Sequence, residues 1–282
     1  MKPGLYVVAT PIGNLGDMTL RAVEVLRDVE LIAAEDTRHS QRLLQHFAIT
    51  TATRAYHDHS GGAAVGKILA CLARGGAVAL ISDAGTPLIS DPGYRLVREV
   101  QDKGYDVFPI PGACAAIAAL SASGLATDRF LFEGFLPAKA GTRDNRLKKL
   151  ARESSTLIFY EAPHRVHECL ESLQRVFGDH REVVLAREIT KTFETIKRGT
   201  LAELVNFVAQ DKDQQRGEIV LIVAGKREQE TELDDQSAAL LRRLAQELPA
   251  KRAAAVVADI TGLRKKVLYQ YLLDVKDDPI QL

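Results

Sequence analysis

Glu35 and Asp36 stand beside Thr37, Arg38 and His39, directly after the apolar run Leu31-Ile32-Ala33-Ala34. Carboxylates and an imidazole there can take or give a proton, and an arginine can hold a phosphate. A helix start also favours Asp and Thr as caps, which accounts for Asp36 or Thr37 but not for the whole group. A second run, Ala77-Val78-Ala79-Leu80-Ile81, opens into Ser82-Asp83-Ala84-Gly85-Thr86-Pro87-Leu88-Ile89-Ser90-Asp91-Pro92-Gly93. That loop exceeds what a turn needs. Asp83 and Ser90 can hydrogen-bond a polar ligand, and the small residues leave room for it. Thr10-Pro11-Ile12-Gly13-Asn14-Leu15-Gly16 allows close backbone approach but lacks dinucleotide-site spacing. Pro109-Ile110-Pro111-Gly112-Ala113-Cys114-Ala115-Ala116 feeds a helix whose first turns are small, which suits either exposed N–H groups or tight packing. His57 and His59, in Tyr56-His57-Asp58-His59, have no third partner at metal-ligand spacing, so no metal is expected.

The second half repeats the pattern more loosely. Tyr160-Glu161-Ala162-Pro163-His164-Arg165 and Arg187-Glu188-Ile189-Thr190-Lys191 each follow an apolar run, and Arg216-Gly217-Glu218 precedes one. These groups suit an opposing wall of a cleft, although surface ion pairs would look the same. Gly61-Gly62-Ala63-Ala64-Val65-Gly66-Lys67 has phosphate-loop spacing, but Ile68 stands where a hydroxyl is needed, so it is set aside.

The elements that must position these groups are legible. Strands are expected at residues 5–9, 31–34, 77–81 and 107–110, and helices at 19–27, 38–47, 62–74, 94–103 and 114–123. Such β/α alternation means a mostly parallel sheet covered by helices, with ligands at the strand carboxyl ends. Strands at 130–135, 156–160, 183–186 and 219–223, a weaker one at 193–197, and helices at 165–176 and 201–209 make a second α/β domain. The expected division is 1–123, 124–226 and a linker plus helical tail over 227–282, with tail helices at 238–246, 251–260 and 265–273.

The chain has 282 residues, 37 basic and 37 acidic, with 46% hydrophobic and 26% charged residues. That balance excludes wholesale disorder and a global field for nucleic acid. Local charge tells more. Residues 139–152 hold six basic side chains against Asp144, and residues 242–266 hold seven against Glu247 and Asp259, a net +5 each. The second cluster flanks a Gly-bearing turn between helices, a helix-turn-helix-like arrangement able to hold phosphates. A solvated helix face is the alternative. Three scattered cysteines, no leader-like start and no membrane-length apolar run lead us to expect a soluble cytoplasmic protein.

Read in order, Pro11-Ile12-Gly13-Asn14-Leu15, Glu35-Asp36-Thr37-Arg38, Ser82-Asp83-Ala84-Gly85-Thr86-Pro87 and Pro111-Gly112 make a recognisable set. Phe132-Glu133-Gly134-Phe135-Leu136-Pro137, Tyr160-Glu161-Ala162-Pro163-His164-Arg165 and Arg187-Glu188-Ile189-Thr190-Lys191 continue it. Over essentially its whole length the chain resembles the ribosomal RNA small-subunit methyltransferase I branch of the tetrapyrrole methylases. Other members of that superfamily carry a Gly-rich Gly-Asp-Pro loop where this chain has residues 82–87, a departure that argues against a porphyrinoid substrate. The resemblance implies two α/β domains of the tetrapyrrole methylase type with S-adenosylmethionine between them, a homodimer, and 2′-O-methylation of a cytidine in the decoding region of 16S ribosomal RNA or the 30S subunit.

On that resemblance, Pro11, Asp83, Ala84, Gly85, Thr86, Leu88, Ser90, Pro111, Ala113 and Ala116 are expected to contact the cofactor, with Phe159, Tyr160, Ala186 and Glu218 across the cleft. Glu35, Asp36 and His57, and also Asp83, are candidates for removing the hydroxyl proton. Arg38, Arg165, Arg187 and Lys191 are expected to hold phosphates, together with Arg252, Arg264, Lys265 and Lys266 of the tail. Neither DNA nor a membrane is an expected partner. Two other readings stay open. A small-molecule methylase of the same fold is disfavoured by the basic tail, and a noncatalytic RNA-binding assembly factor by the polar strand-end loops.

Overall fold

The structure is a computed structural model that describes residues 1–57, 62–226 and 233–277. It contains two compact units, Met1–Gly225 and Lys226–Leu282.

The first unit is built on two sheets. Strands β1 (Gly4–Val8), β2 (Leu31–Ala34), β3 (Thr53–Ala55), β4 (Ala77–Ile81) and β5 (Val107–Ile110) form one sheet in the order β3-β2-β4-β1-β5. Every pairing in it is parallel. Helices α1 (Leu20–Asp28), α2 (Thr37–His46), α3 (Gly62–Ala73) and α4 (Tyr94–Asp102) connect these strands. Strand β4 is buried at all five residues, as a continuous apolar run between helical layers requires. The core on one face gathers Val8, Leu26, Ile32, Leu44 and Ile81, and that on the other Leu5, Ile68, Leu80, Leu96 and Val100. Neighbouring strands β1 and β4 send the chain in opposite directions, β1 on to β2 and β4 on to β5. Their carboxyl ends therefore leave a crevice, and residues 9–16 and 82–93 both lie at it.

Helix α5 (Ala115–Ser123) follows β5 but packs on the second sheet. Its small faces Ala116 and Ala119, with Leu120, meet Ile158, Val184, Ala186, Val220 and Ile222. The second sheet runs β6-β7-β10-β8-β9, from β6 (Phe130–Phe135), β7 (Thr156–Glu161), β8 (Glu182–Arg187), β9 (Thr195–Thr200) and β10 (Ile219–Val223). Only β6 and β7 pair in parallel; the rest of this sheet is antiparallel. Helices α6 (Ala140–Leu150), α7 (Val166–Phe177) and α8 (Leu201–Gln210) cover its other face, with Leu147, Leu170 and Leu204 packed over Phe159, Leu185 and Leu221.

Two differences from the sequence expectations stand out. Strand β9 begins at Thr195, two residues beyond the expected start at 193. Helix α6 falls inside the first basic cluster, where no element was expected. Its core-facing row is Arg143, Leu147 and Leu150, so an arginine occupies the first apolar position. Arg143 is 2% exposed and donates to Ser172 Oγ at 3.0 Å and to the Ala138 carbonyl at 3.2 Å. Arg146 makes a two-pronged bond to Glu133 with both contacts at 2.8 Å. Two of that cluster's six basic side chains are thus committed to internal bonds.

The second unit holds helices α9 (Asp235–Glu247), α10 (Ala250–Thr261) and α11 (Lys265–Asp277), packed on Leu241, Ala253, Ala254, Val257, Leu263, Leu268 and Leu272. Gly262 closes α10 in the left-handed conformation at φ +75°, which makes the sharp turn into α11. Arg264, Lys265 and Lys266 are exposed at that turn, and Lys251 and Arg252 are exposed at the other end of α10. Glu228, Glu230 and Glu232 of the expected linker lie outside the described residues, as do Asp58, His59 and Gly61. Among the described residues no helix is long and apolar enough to cross a membrane.

Candidate active site

The crevice between β1 and β4 opens into two adjoining cavities. One, of about 370 Å³, is lined by Ile12, Ala84, Gly85, Thr86, Ile89, Ser90, Asp91, Cys114, Ala115 and Phe135, and from the second sheet by Tyr160, Glu161, Ala162, Pro163, Ile189, Gly217, Glu218, Ile219 and Val220. The other, of about 550 Å³, is lined by Thr10, Pro11, Ile12, Gly13, Leu15, Arg38, His39, Ser40, Arg42, Leu43, Ser82, Asp83, Ala84, Lys191 and Glu218. Ile12, Ala84 and Glu218 line both.

Loop-to-loop bonds fix these walls. Thr10 and Gly85 exchange backbone hydrogen bonds of 2.8 and 3.1 Å, which clamps the loop after β1 to the loop after β4. Thr86 Oγ1 donates to the Ala113 carbonyl at 2.9 Å, tying the loop after β5 to the same frame. Gly85 needs its missing side chain: its φ is +83°. Leu88 and Ser90 adopt positive φ without being glycine, at +75° and +67°. Backbone held in that region concentrates at ligand-binding segments because the surroundings must enforce it.

Carboxylates line the strand ends. Asp83 N–H donates to Glu35 Oε2 at 3.3 Å, and Asp83 Oδ1 accepts from Asp36 N–H at 3.1 Å, so β2 and β4 are cross-tied at their carboxyl ends. Burial raises the Glu35 carboxyl above its usual range, and the charges of Asp83 and Asp36 add to that. Burial likewise pushes Asp91 up to about 6, with Glu35 and Asp83 acting in the same direction against a hydrogen bond with Ser82. Asp36 behaves oppositely. Its carboxylate accepts the Arg38 N–H at 2.8 Å, the capping bond of α2, and is held below the usual range by it.

The second sheet supplies the facing wall. Tyr160 Oη accepts the Ala116 N–H at 3.1 Å, so a side chain of β7 satisfies a first-turn donor of α5. Lys191 Nζ bridges Glu188 at 2.8 Å and Glu218 at 3.0 Å, while its stem lies where a side chain on Gly13 would go. Burial works against the Lys191 charge, but the two carboxylates outweigh it and raise the ammonium's pKa.

Comparison with known proteins decides the family. The family model for tetrapyrrole (corrin/porphyrin) methylases matches residues 4–205, and that for the RsmI C-terminal HTH domain matches residues 231–276. The ribosomal RNA small subunit methyltransferase I of Pseudomonas aeruginosa is 57% identical over 271 residues, 95% of this chain and 96% of that one. Its namesake from Escherichia coli O157:H7 is 53% identical over 270 residues, 96% and 94% of the two chains.

The chain belongs to the ribosomal RNA small subunit methyltransferase I family.

The family's fold extends to distant structures. Cobalt precorrin-4 methyltransferase superposes with a TM-score of 0.60 at 16% identity, covering 78% of this chain and 94% of that one. Uroporphyrin-III-C-methyltransferase from Thermus thermophilus gives 0.57 at 19%, covering 79% and 94%. The expected architecture of this family, paired α/β sheets plus C-terminal helices, is the one observed.

Within that fold, Ala84, Gly85, Thr86, Ser90, Tyr160 and Glu218 line the smaller cavity, and Pro11, Arg38, Asp83 and Lys191 the larger. Pro111 and Ala113 sit just before the lining residues Cys114 and Ala115, and Ala116 is buried just after them. Glu35 stands behind Asp83, and His57 lies close enough to Glu35 to act on its charge.

Several expected contacts are placed elsewhere. Phe159 is fully buried in the core under α6, α7 and α8, the face of the sheet away from the cleft, because alternate residues of a strand face opposite sides. Ala186 is fully buried against α5. Leu88 packs into the first sheet's core. Arg187 is 7% exposed and donates to Gln214 Oε1 at 3.2 Å, the Phe193 carbonyl at 3.1 Å and Thr195 Oγ1 at 3.3 Å. A guanidinium so enclosed cannot hold an external phosphate. Arg165 is turned inward to Glu161 at 2.7 Å and the Leu136 carbonyl at 2.8 Å. Asp36 caps a helix, which leaves it a poor base.

Sequence reasoning passed over Ile12, Ile89, Asp91 and Phe135 as lining groups, while Glu161 and Ile189 lie in the two segments expected to form the opposing wall. Asp91 alone of these carried a signal, as a second acid in an overlong loop. The N-cap of α4 is Gly93, which has no side chain to cap with.

Proposed function

We propose that this chain transfers the methyl group of S-adenosylmethionine to the 2′-oxygen of a cytidine ribose in the decoding region of 16S ribosomal RNA. Family membership supports the coarser statement, methylation of ribosomal RNA. The observation that carries the finer one is the pair of joined cavities, one for a cofactor and one with basic groups on its wall.

The smaller cavity fits the cofactor. Its volume of about 370 Å³ lies within the range of about 300–1,000 Å³ typical of small-molecule sites. Apolar walls from Ile12, Ile89, Ile189 and Val220 suit an adenosyl group. When bound, the cofactor supplies an electrophilic methyl on a sulfonium. The protein's part is to orient that methyl against the acceptor hydroxyl and to exclude water. Thr86, Ser90 and the backbone of residues 84–86 would hold the cofactor. Arg38, with its side chain 91% exposed, and Lys191 would meet the sugar–phosphate backbone in the larger cavity. Ser82 and Asp83 would meet the ribose.

The C-terminal unit would hold neighbouring RNA phosphates through Arg252, Arg264, Lys265 and Lys266, without reading bases. Its match to an HTH domain and its exposed cations support this. The working form would be a homodimer in the cytoplasm, where ribosomes are assembled. Exposed Phe130 and Leu131 on edge strand β6 offer apolar surface for a second copy.

The test is to incubate the protein with methyl-labelled S-adenosylmethionine and small ribosomal subunits that lack the modification. Label in the RNA is expected. Cofactor binding with label appearing only in small molecules would instead place the chain with the small-molecule methylases, and absence of cofactor binding would make it a noncatalytic RNA-binding factor.

A further inference from the structure

The proton on the acceptor hydroxyl has to go somewhere, and the carboxylates at the strand ends are not equivalent. Asp36 is engaged by the first turn of α2. Glu35 accepts the Asp83 N–H and lines neither cavity among the described residues. Asp83 lines the larger cavity but already holds the Asp36 N–H. Asp91 differs. It lines the smaller cavity and belongs to the same loop as Ser82, which lines the larger. Glu161 and Glu218 also line that cavity, but Arg165 holds Glu161 at 2.7 Å and Lys191 holds Glu218 at 3.0 Å, so among the described residues Asp91 is the lining carboxylate without a cation partner. It stands in a segment whose backbone is held at positive φ at Ser90, the preceding residue.

We infer that Asp91 is the general base of this site. The inference rests on the reading of the chain as a ribose methyltransferase. As the hydroxyl oxygen forms its bond to the methyl carbon, Asp91 takes that hydroxyl's proton. The carbon–sulfur bond breaks with its electron pair left on sulfur, so the thioether product is neutral and the proton passes from Asp91 to solvent.

The surroundings match the task. The titratable groups facing Asp91 are Glu35 from β2, Asp83 from β4, Tyr160 and Glu161 from β7, Cys114 before α5 and Glu218 before β10. Two of these carboxylates carry cations, Arg165 on Glu161 at 2.7 Å and Lys191 on Glu218 at 3.0 Å. Burial and the like charges of Glu35 and Asp83 place its titration at about 6. A base is most effective when its pKa lies near the working pH. Asp91 is therefore ionised at neutral pH yet basic enough to accept a proton.

The experiment compares wild type, Asp91→Asn and Glu35→Gln by three readouts: methyl transfer to unmethylated small subunits, the pH dependence of the rate, and calorimetric binding of S-adenosylhomocysteine. For Asp91→Asn we expect a loss of at least about 100-fold in kcat, in the usual range for a general base. S-adenosylhomocysteine affinity should stay within threefold, which also shows that the variant is folded. The wild-type rate should rise with pH through a single ionisation near 6, that limb should vanish in Asp91→Asn, and in Glu35→Gln it should move to lower pH because a neighbouring negative charge is gone. Carboxyl chemical shifts of isotopically labelled Asp91 should follow the same ionisation without any turnover.

An Asp91→Asn variant with more than a tenth of wild-type kcat, or with an unchanged pH limb, overturns the inference while leaving the methyltransferase reading intact. Loss of S-adenosylhomocysteine binding in a folded Asp91→Asn variant also overturns it, by making Asp91 a cofactor ligand. Absence of transfer by the wild type under all conditions instead defeats the reading beneath it.

Discussion

Replacing Asp91 by asparagine should make the protein more stable at high pH and leave it unchanged at low pH. The reason lies in the proton linkage. The Asp91 carboxyl titrates at about 6 in the folded chain against an ordinary value of 3.8. The folded state therefore binds this proton more tightly than the unfolded state does. The stability this confers is fully present below pH 3.8 and is lost as pH rises through 6. The difference corresponds to about 3 kcal/mol at neutral pH. The side chain keeps contact with solvent, and screening there reduces the figure to about 1–2 kcal/mol. Asparagine keeps the shape and carries no charge, so it removes that penalty. A gain of this size should raise the melting temperature of a unit of this length by roughly 2–6 °C. Thermal unfolding followed by circular dichroism between pH 4.5 and 8 provides the assay. The variant's advantage should grow with pH and level off above about 7. A variant that is equally or less stable at pH 8, or whose advantage is independent of pH, would refute the idea that Asp91 is held in an unfavourable charged state.

Other consequences are as direct. Tyr160→Phe leaves the Ala116 N–H without its acceptor and should cost about 1–2 kcal/mol in unfolding free energy; a neutral result would mean water replaces the bond. Arg187→Ala removes a buried guanidinium and strands the groups that accept from it. We expect about 3 kcal/mol of destabilisation, with RNA affinity of the folded fraction unchanged, and a tenfold affinity loss would restore Arg187 as a phosphate ligand. Gly85→Ala forces a Cβ onto backbone at φ +83° and to 3.3 Å from Ile12. It should cost about 1–2 kcal/mol and weaken S-adenosylhomocysteine binding in calorimetry. Removing residues 228–282 should weaken RNA binding and flatten its salt dependence, whereas equal salt slopes with and without them would deny the tail a role.

What could be read from the sequence follows from the physics of each element. Continuous apolar runs such as Ala77–Ile81 announce buried parallel strands because both faces must be apolar. The loop after β4 stood out by its length and its polar and small residues, and it lines both cavities. Side-chain direction was harder to read. Phe159 and Tyr160 are neighbours on one strand, yet only Tyr160 faces the cleft, since sequence proximity says nothing about which face closes the site. Charge was misleading where arginine is internal. Arg143, Arg165 and Arg187 read as phosphate ligands or basic surface, but each serves carbonyls and side chains of its own chain. Helix α6 escaped notice for the same reason, because Arg143 breaks the apolar row that marks an amphipathic helix.

Alkaline digestion of RNA labelled by the protein locates the transferred methyl most directly. Alkali cleaves RNA through attack of the 2′-oxygen on the adjacent phosphate, so a ribose methylated there cannot be cut on its 3′ side. Label carried into RNA from S-adenosylmethionine should be recovered in a single alkali-resistant dinucleotide whose 5′ residue is cytidine. Label recovered in alkali-released mononucleotides would place the methyl on a base and contradict ribose methylation.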